Sequence, residues 1–266
     1  MFKKVRLIPA LALLLLAFLA QGAQAAILPQ AFSSSAPGVA AFNNLLYVFY
    51  STASGSLLRY RYMNLSGVWS GEGTIVGANT DDGPGAAVFN GLLYLFWETA
   101  GSGSDSIRYV TVNTSNAQSG VSVVPFGLTF RGPAATVFNN RIYLSYSGTN
   151  GSPANGSPLY YGYMDANGTW IGDSQPTGSP RSVTGPTLAA LGTQMWLIYL
   201  PKTIGFTNDL YFKKLDTLNV WTSESLLAPL TESDTGVSSV SFNGHIWVVG
   251  TTVGGTNPHA VQYSIL

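Results

Sequence analysis

The chain has 266 residues, with twelve Lys and Arg against twelve Asp and Glu, no cysteine, and charged residues making up only 9%. The absence of cysteine excludes a disulfide scaffold and a lipoprotein thiol, and the charge balance argues against a nucleic-acid partner, which usually needs a basic patch. Thirty glycines and abundant aromatics fit a turn-rich β-protein and give no support to long helices.

The N-terminus combines Lys3, Lys4 and Arg6, an apolar run from Leu11 to Ala20, and the small-residue pattern Ala23-Gln24-Ala25. These are the parts of a secretory signal peptide over residues 1–25, cleaved before Ala26. The apolar run is shorter than the ~20 residues a membrane-spanning helix needs, and no later segment is longer, so no membrane insertion of the mature chain is expected. Without those three cations, nine basic residues face twelve acids. The expected destination is the periplasm or the exterior. Residues 26–266 are enough for one all-β domain with a sizeable core.

An internal repeat follows. The segment from Pro84 to Trp97 matches that from Pro133 to Tyr146, and both match Pro37 to Tyr50; further copies run from Pro186 to Tyr199 and from Val237 to Gly250. One aromatic position returns as Tyr47, Tyr94, Tyr143, Trp196 and Trp247, at intervals of 47, 49, 53 and 51 residues. Periods of this size belong to propeller blades or solenoids. Within each copy two alternating apolar runs flank a turn, Asn-Gly or Asn-Asn in four of the five, which predicts a tight hairpin. Apolar spacing of three and four, the mark of helical repeats, does not occur.

A third strand is predicted at 58–63, 107–112, 159–164, 210–215 and 261–266, carrying Tyr60, Tyr109, Tyr161, Phe212 and Tyr263. A fourth begins near Trp69, Trp170 and Trp221, and the chain ends at Leu266 before a fifth copy of it. The expected fold is therefore an all-β, five-bladed β-propeller of four-stranded blades, with repeats at about 33–80, 81–130, 131–180, 181–230 and 231–266. The N-terminal strand 26–32 would complete the last blade, closing the ring and covering an exposed edge.

Before the fourth strand a fixed spacing runs from Asn64 to Trp69, Asp165 to Trp170 and Asp216 to Trp221; at Asn113 to Gln118 the Trp is lost. This resembles a degenerate Asp-box of sialidase-like propellers. Its expected role is structural: the Asn or Asp oxygen bonds the turn's own N–H groups while the Trp wedges between sheets.

Catalytic material is sparse. A glycosidase needs two carboxylates flanking one bond, and the candidates Asp81, Asp82, Asp234 and Glu98 are few and unevenly placed. His245 and His259 are the only histidines, no Gly-x-Ser-x-Gly elbow appears, and no cluster has metal-ligand spacing. The loop Asn79-Thr-Asp-Asp-Gly83 reads as a solvated turn before it reads as a calcium loop. No catalytic residue, metal or cofactor is assigned.

Binding residues are better represented. Three positions after the packed aromatic, on the opposite strand face, come Tyr50, Trp97, Tyr146 and Tyr199, then Gly250. The third strand offers Arg59, Arg108, Tyr160 and Tyr211, then Gln262. Aromatic faces stack on the C–H face of a sugar while an Arg bonds its hydroxyls. The alternative is that both sets fill the space between blades, since propeller sheets pack on both faces.

With its Gly-Pro-Ala…Phe-Asn-Asn/Gly…Leu-Tyr pattern over residues 26–266, the chain resembles bacterial propeller lectins and the five-bladed tachylectin-2-like lectins. The resemblance implies shallow sugar sites between adjacent blades acting multivalently on glycans or glycoproteins of a cell surface. Fucose-binding propellers combine an Arg, a Glu and a Trp in each site; here only Trp97, Glu98 and Arg108 offer that set. A glycoside hydrolase or lyase, and a protein-interaction scaffold of the cell envelope, are the competing readings. The sugar and the oligomeric state stay open.

Overall fold

The structure, a computed structural model, describes residues 35–52, 57–101, 105–149, 156–201, 209–227, 237–251 and 261–266. The leader, the predicted strand 26–32, Asp234 and His259 lie outside the described residues. Twenty β-strands and no helix are found among the described residues.

The strands form five antiparallel sheets in chain order. Sheet one holds β1 (Gly38–Phe42), β2 (Leu45–Ser51), β3 (Leu57–Met63) and β4 (Gly73–Asn79). Sheet two holds β5 (Gly85–Phe89), β6 (Leu92–Glu98), β7 (Asp105–Val112) and β8 (Ser122–Thr129). Sheet three holds β9 (Ala134–Phe138), β10 (Arg141–Ser147) and β11 (Ser157–Met164), with its outer position divided between β12 (Trp170–Ser174) and β13 (Arg181–Ser182). Sheet four holds β14 (Thr187–Leu191), β15 (Gln194–Tyr199), β16 (Tyr211–Asp216) and the short β17 (Ser225–Leu226). Sheet five holds β18 (Ser238–Phe242), β19 (His245–Thr251) and β20 (Val261–Ile265). The first strands of successive sheets, β1, β5, β9, β14 and β18, run beside one another in that order, so each sheet radiates outward from them.

The hairpins take the form the sequence predicts. Asn43-Asn44, Asn90-Gly91, Asn139-Asn140 and Asn243-Gly244 all have positive φ at both central residues, which Asn and Gly tolerate and which matches the strand twist. In sheet four Gly192 alone carries the positive φ, leaving Thr193 at the second central position. Where the first strands begin, the chains approach closely: a Cβ on Gly83 would lie 2.0 Å from the Ala36 carbonyl oxygen, and one on Gly132 would lie 1.8 Å from that of Gly83. The recurring Gly-Pro is thus a spacing requirement between neighbouring sheets.

The fixed Asx spacing also does what its chemistry implies. The side-chain oxygen of Asn64 accepts from the N–H groups of Ser66 and Val68. Asn113, Asp165 and Asp216 repeat the same two bonds, two and four residues onward. The last three of these turns are also tied to the preceding sheet. Asn43 donates to the Thr114 carbonyl, Asn90 to that of Ala166, and Asn139 to that of Thr217. Trp170 packs edge-on against Phe96, Tyr109 and Phe126 of sheet two, and Trp221 against Tyr161 of sheet three. Gln118, standing where the Trp is lost, instead accepts the Val76 N–H and donates to the Thr74 carbonyl of β4.

Four apolar clusters lie between successive sheets. Each joins one face of a sheet to the opposite face of the next, so every sheet from two to four is packed on both sides. Burial of this apolar area is the main stabilising term in a chain without disulfides. One face differs. The phenylalanine that ends the first strand is buried in sheets one to three (Phe42, Phe89, Phe138), whereas Phe242 of sheet five is 66% exposed and Val240 beside it 55%.

Candidate functional site

The four second-strand aromatics stand opposite the packed set, as the alternation predicts, yet they are not exposed. Tyr50, Trp97, Tyr146 and Tyr199 are at most 2% exposed, and Trp97, Tyr146 and Tyr199 belong to the clusters joining their sheet to the preceding one. The expectation of open aromatic faces is corrected here: for Trp97, Tyr146 and Tyr199 the preceding sheet covers the face on which they stand.

The third-strand set is placed differently. Arg59, Arg108, Tyr160 and Tyr211 are the direct cross-strand partners of Tyr50, Trp97, Tyr146 and Tyr199. All four are only partly buried. The two sets thus meet, one ring beneath and one half-open side chain above. In sheet three the rings of Tyr146 and Tyr160 stack at 5.9 Å.

A third member escapes simple pattern reading. The Tyr50 hydroxyl donates to Glu72 at 2.6 Å, that of Tyr146 to Asp173 at 2.5 Å, and that of Tyr199 to Glu224. Burial first, and the carboxylate second, push all three phenols above their ordinary range. The carboxylates reach solvent: Asp173 and Glu224 are exposed and Glu72 is 28% exposed. Arg59 bridges to Glu72 at 2.7 Å. A sequence signal for these acids exists, since each lies eight residues after its Asx: Asn64 to Glu72, Asp165 to Asp173, Asp216 to Glu224. Sheet two breaks the set in a correlated way. Eight residues after Asn113 stands Val121, and the buried ring is Trp97, which has no hydroxyl to offer a carboxylate.

Glu98 does not join Trp97 and Arg108. It pairs with Ile107 on the other face of the strand and is 3% exposed. Its carboxyl takes a bond from the Thr80 hydroxyl at 2.9 Å and one from the Asp81 N–H at 3.0 Å. Burial raises its pKa to about 7, with the Asp82 charge adding to the rise and the Thr80 bond opposing it. The set of Arg, Glu and Trp expected in sheet two is therefore dispersed by strand alternation. The loop Asn79–Gly83 is closed on itself, since Thr80 bonds the Asp82 carbonyl and Asp82 caps the Gly83 N–H. His245 begins β19 and is exposed. Among the described residues no group of three His, Cys, Asp or Glu could hold a metal, and no helix is long and apolar enough to cross a membrane.

No protein-family model matches the sequence, and no curated protein matches it. Solved structures do match. The structure of YjhT superposes with a TM-score of 0.61 at 15% identity, over 89% of this chain and 81% of the other. The Penicillium chrysogenum α-L-arabinanase complexed with arabinobiose gives a TM-score of 0.61 at 16% identity, over 86% and 77%. The Aleuria aurantia lectin in complex with α-methyl-L-fucoside gives 0.52 at 15%, over 86% and 78%. These are β-propeller proteins, and at such identity the likeness concerns architecture alone: the sheets of this chain are the blades of a β-propeller.

Proposed function

We propose that the protein is a secreted or periplasmic carbohydrate-binding propeller of lectin type, with weak sites repeated between blades and glycans of a cell surface as partners. The observation carrying this reading is the arrangement found in sheets one, three and four: a buried tyrosine holding a partly or fully exposed carboxylate beside a half-open Arg59, Tyr160 or Tyr211. The carboxylate accepts sugar hydroxyls, the Arg donates, and the tyrosine faces offer apolar surface to a ring. Repetition at one position per blade suits weak sites acting together. Glycan-recognising and glycan-cleaving proteins among the structural neighbours accord with it.

The test is a glycan array with the purified protein, followed by calorimetry on the hits. Replacing Tyr160 and Tyr211 together by Ala should weaken binding roughly tenfold or more through lost multivalency. Silence across neutral and acidic glycans would overturn the reading. Release of reducing ends from bound polysaccharides, abolished by Glu98→Gln, would move the assignment to a glycoside hydrolase, which a buried carboxyl titrating near neutrality favours.

The same proposal closes five blades into a ring, with sheet five packing on sheet one and residues 26–32 adding its fourth strand. Its support is the exposure of Phe242 and Val240 on sheet five and of Val39, at 52%, on sheet one, together with a shallow groove on sheet one lined by Ala41, Leu46, Met63 and Leu65. Asn243 also stands in sheet five at the position from which Asn43, Asn90 and Asn139 bond the next sheet. An unchanged thermal midpoint after deletion of 26–32 would refute the closure.

A further inference from the structure

Three arginines stand on the faces of the third strands, and they are not equally satisfied. Arg59 is neutralised by Glu72, and Arg61 donates to the Ser70 carbonyl at 3.1 Å. Arg108 has neither kind of partner among the described residues. The Nε of all three is shielded from solvent without an acceptor, but Arg59 and Arg61 each bond through a terminal nitrogen, whereas no bond to Arg108 is found; the indole Nε1 of Trp97, its direct cross-strand neighbour, is shielded and unbonded as well. Arg108 and Trp97 thus place two shielded, unbonded donors side by side on one face of sheet two, each of which costs free energy until an acceptor reaches it.

The cause is visible in the repeat. The position that supplies Glu72, Asp173 and Glu224 in the other sheets is Val121 here, so the anion that would complete the site is missing from the chain itself. The surroundings are apolar. Val123 pairs directly with Arg108 and is 54% exposed, and Val121 is 37% exposed. The neighbouring strand of sheet one meets them at Gly77, whose Cβ position lies 3.2 Å from the Val121 side chain. A partly buried Arg108 is thus presented beside a valine surface, where β4 approaches the residues leading into β8.

We propose that this surface recognises the carboxylate of an acidic sugar, with Arg108 as the anion-binding residue and the valines carrying the C–H face of the ring. The guanidinium fork matches a carboxylate in two parallel bonds. Placed among apolar neighbours, that contact is screened less than an exposed pair would be. The site therefore differs in ligand from those of sheets three and four, where Asp173 and Glu224 repel an acid. This rests on the glycan-binding reading above and adds to it the charge of one ligand unit.

The experiment compares a galacturonic acid trimer with its methyl ester, which keeps the ring hydroxyls and removes the charges. Calorimetry on the purified protein should show the acid bound roughly tenfold more tightly than the ester, a preference that declines as salt rises. Arg108→Gln should abolish the difference. So should Val121→Glu, which leaves Arg108 in place and supplies the carboxylate that Arg59 has in sheet one. Unchanged circular dichroism and thermal midpoint in both variants certify the fold. Equal binding of acid and ester by the unaltered protein, or a preference that survives both substitutions, overturns the acidic-sugar assignment while the glycan reading stands. Binding of no glycan of any charge overturns both.

Discussion

Sheets one and two carry the same repeat, share a strand order and stack on each other, yet their corresponding faces are satisfied differently. In sheet one a tyrosine hydroxyl, an arginine and a glutamate satisfy one another as Tyr50, Arg59 and Glu72. In sheet two the tyrosine has become Trp97, the glutamate Val121, and Arg108 is left alone. The replacements are coupled by chemistry: a phenol placed under a carboxylate needs it as an acceptor, while an indole N–H offers a donor at another position on the ring. A repeat can therefore keep its packing while one blade changes the charge it shows to solvent.

Trp97 should prove structural, and its truncation is the largest expected effect. Trp97→Ala removes a fully buried ring from the cluster between the two sheets, and chemical denaturation should report a loss of about 3–5 kcal/mol. A stable variant that had lost only sugar binding would break the comparison and return Trp97 to the ligand.

The second effect lies on the reverse face, where sheet one has Ser51 and sheet two Glu98 at the same position. The folded protein holds the Glu98 proton up to about pH 7, whereas a free glutamate loses it near 4.5. Between these values the folded state binds the extra proton, so stability falls as pH rises across the window and levels off above it. The contribution is up to about 3 kcal/mol. Denaturation midpoints of Glu98→Gln should be flatter over this range than those of the unaltered chain. Equal slopes would show that Glu98 ionises normally, and would remove the observation favouring a hydrolase.

Sequence reading recovered the repeat, the hairpins, the third strands and the Asx turns because each is encoded locally. Asn and Gly at a two-residue turn, an Asx two and four residues before an N–H, and alternation along a strand all act within a few neighbours. The same alternation also separates Glu98 from Trp97, and counting along β6 was enough to see it. Glu72, Asp173 and Glu224 were legible only as an eight-residue offset, whose meaning appears once the fold brings each acid to the tyrosine of its sheet.

By itself, then, the sequence determined the blade: its strands, its turns, its Gly-Pro spacing and which residues share a face. The tertiary structure decided which of those faces are covered. Tyr50, Trp97, Tyr146 and Tyr199 are legible as a set in one dimension, but whether a set binds ligand or forms core depends on the neighbouring sheet. That neighbour lies some fifty residues away, and hydrophobic burial is non-directional, so no local pattern marks the difference between an aromatic that meets a sugar and one that meets another sheet.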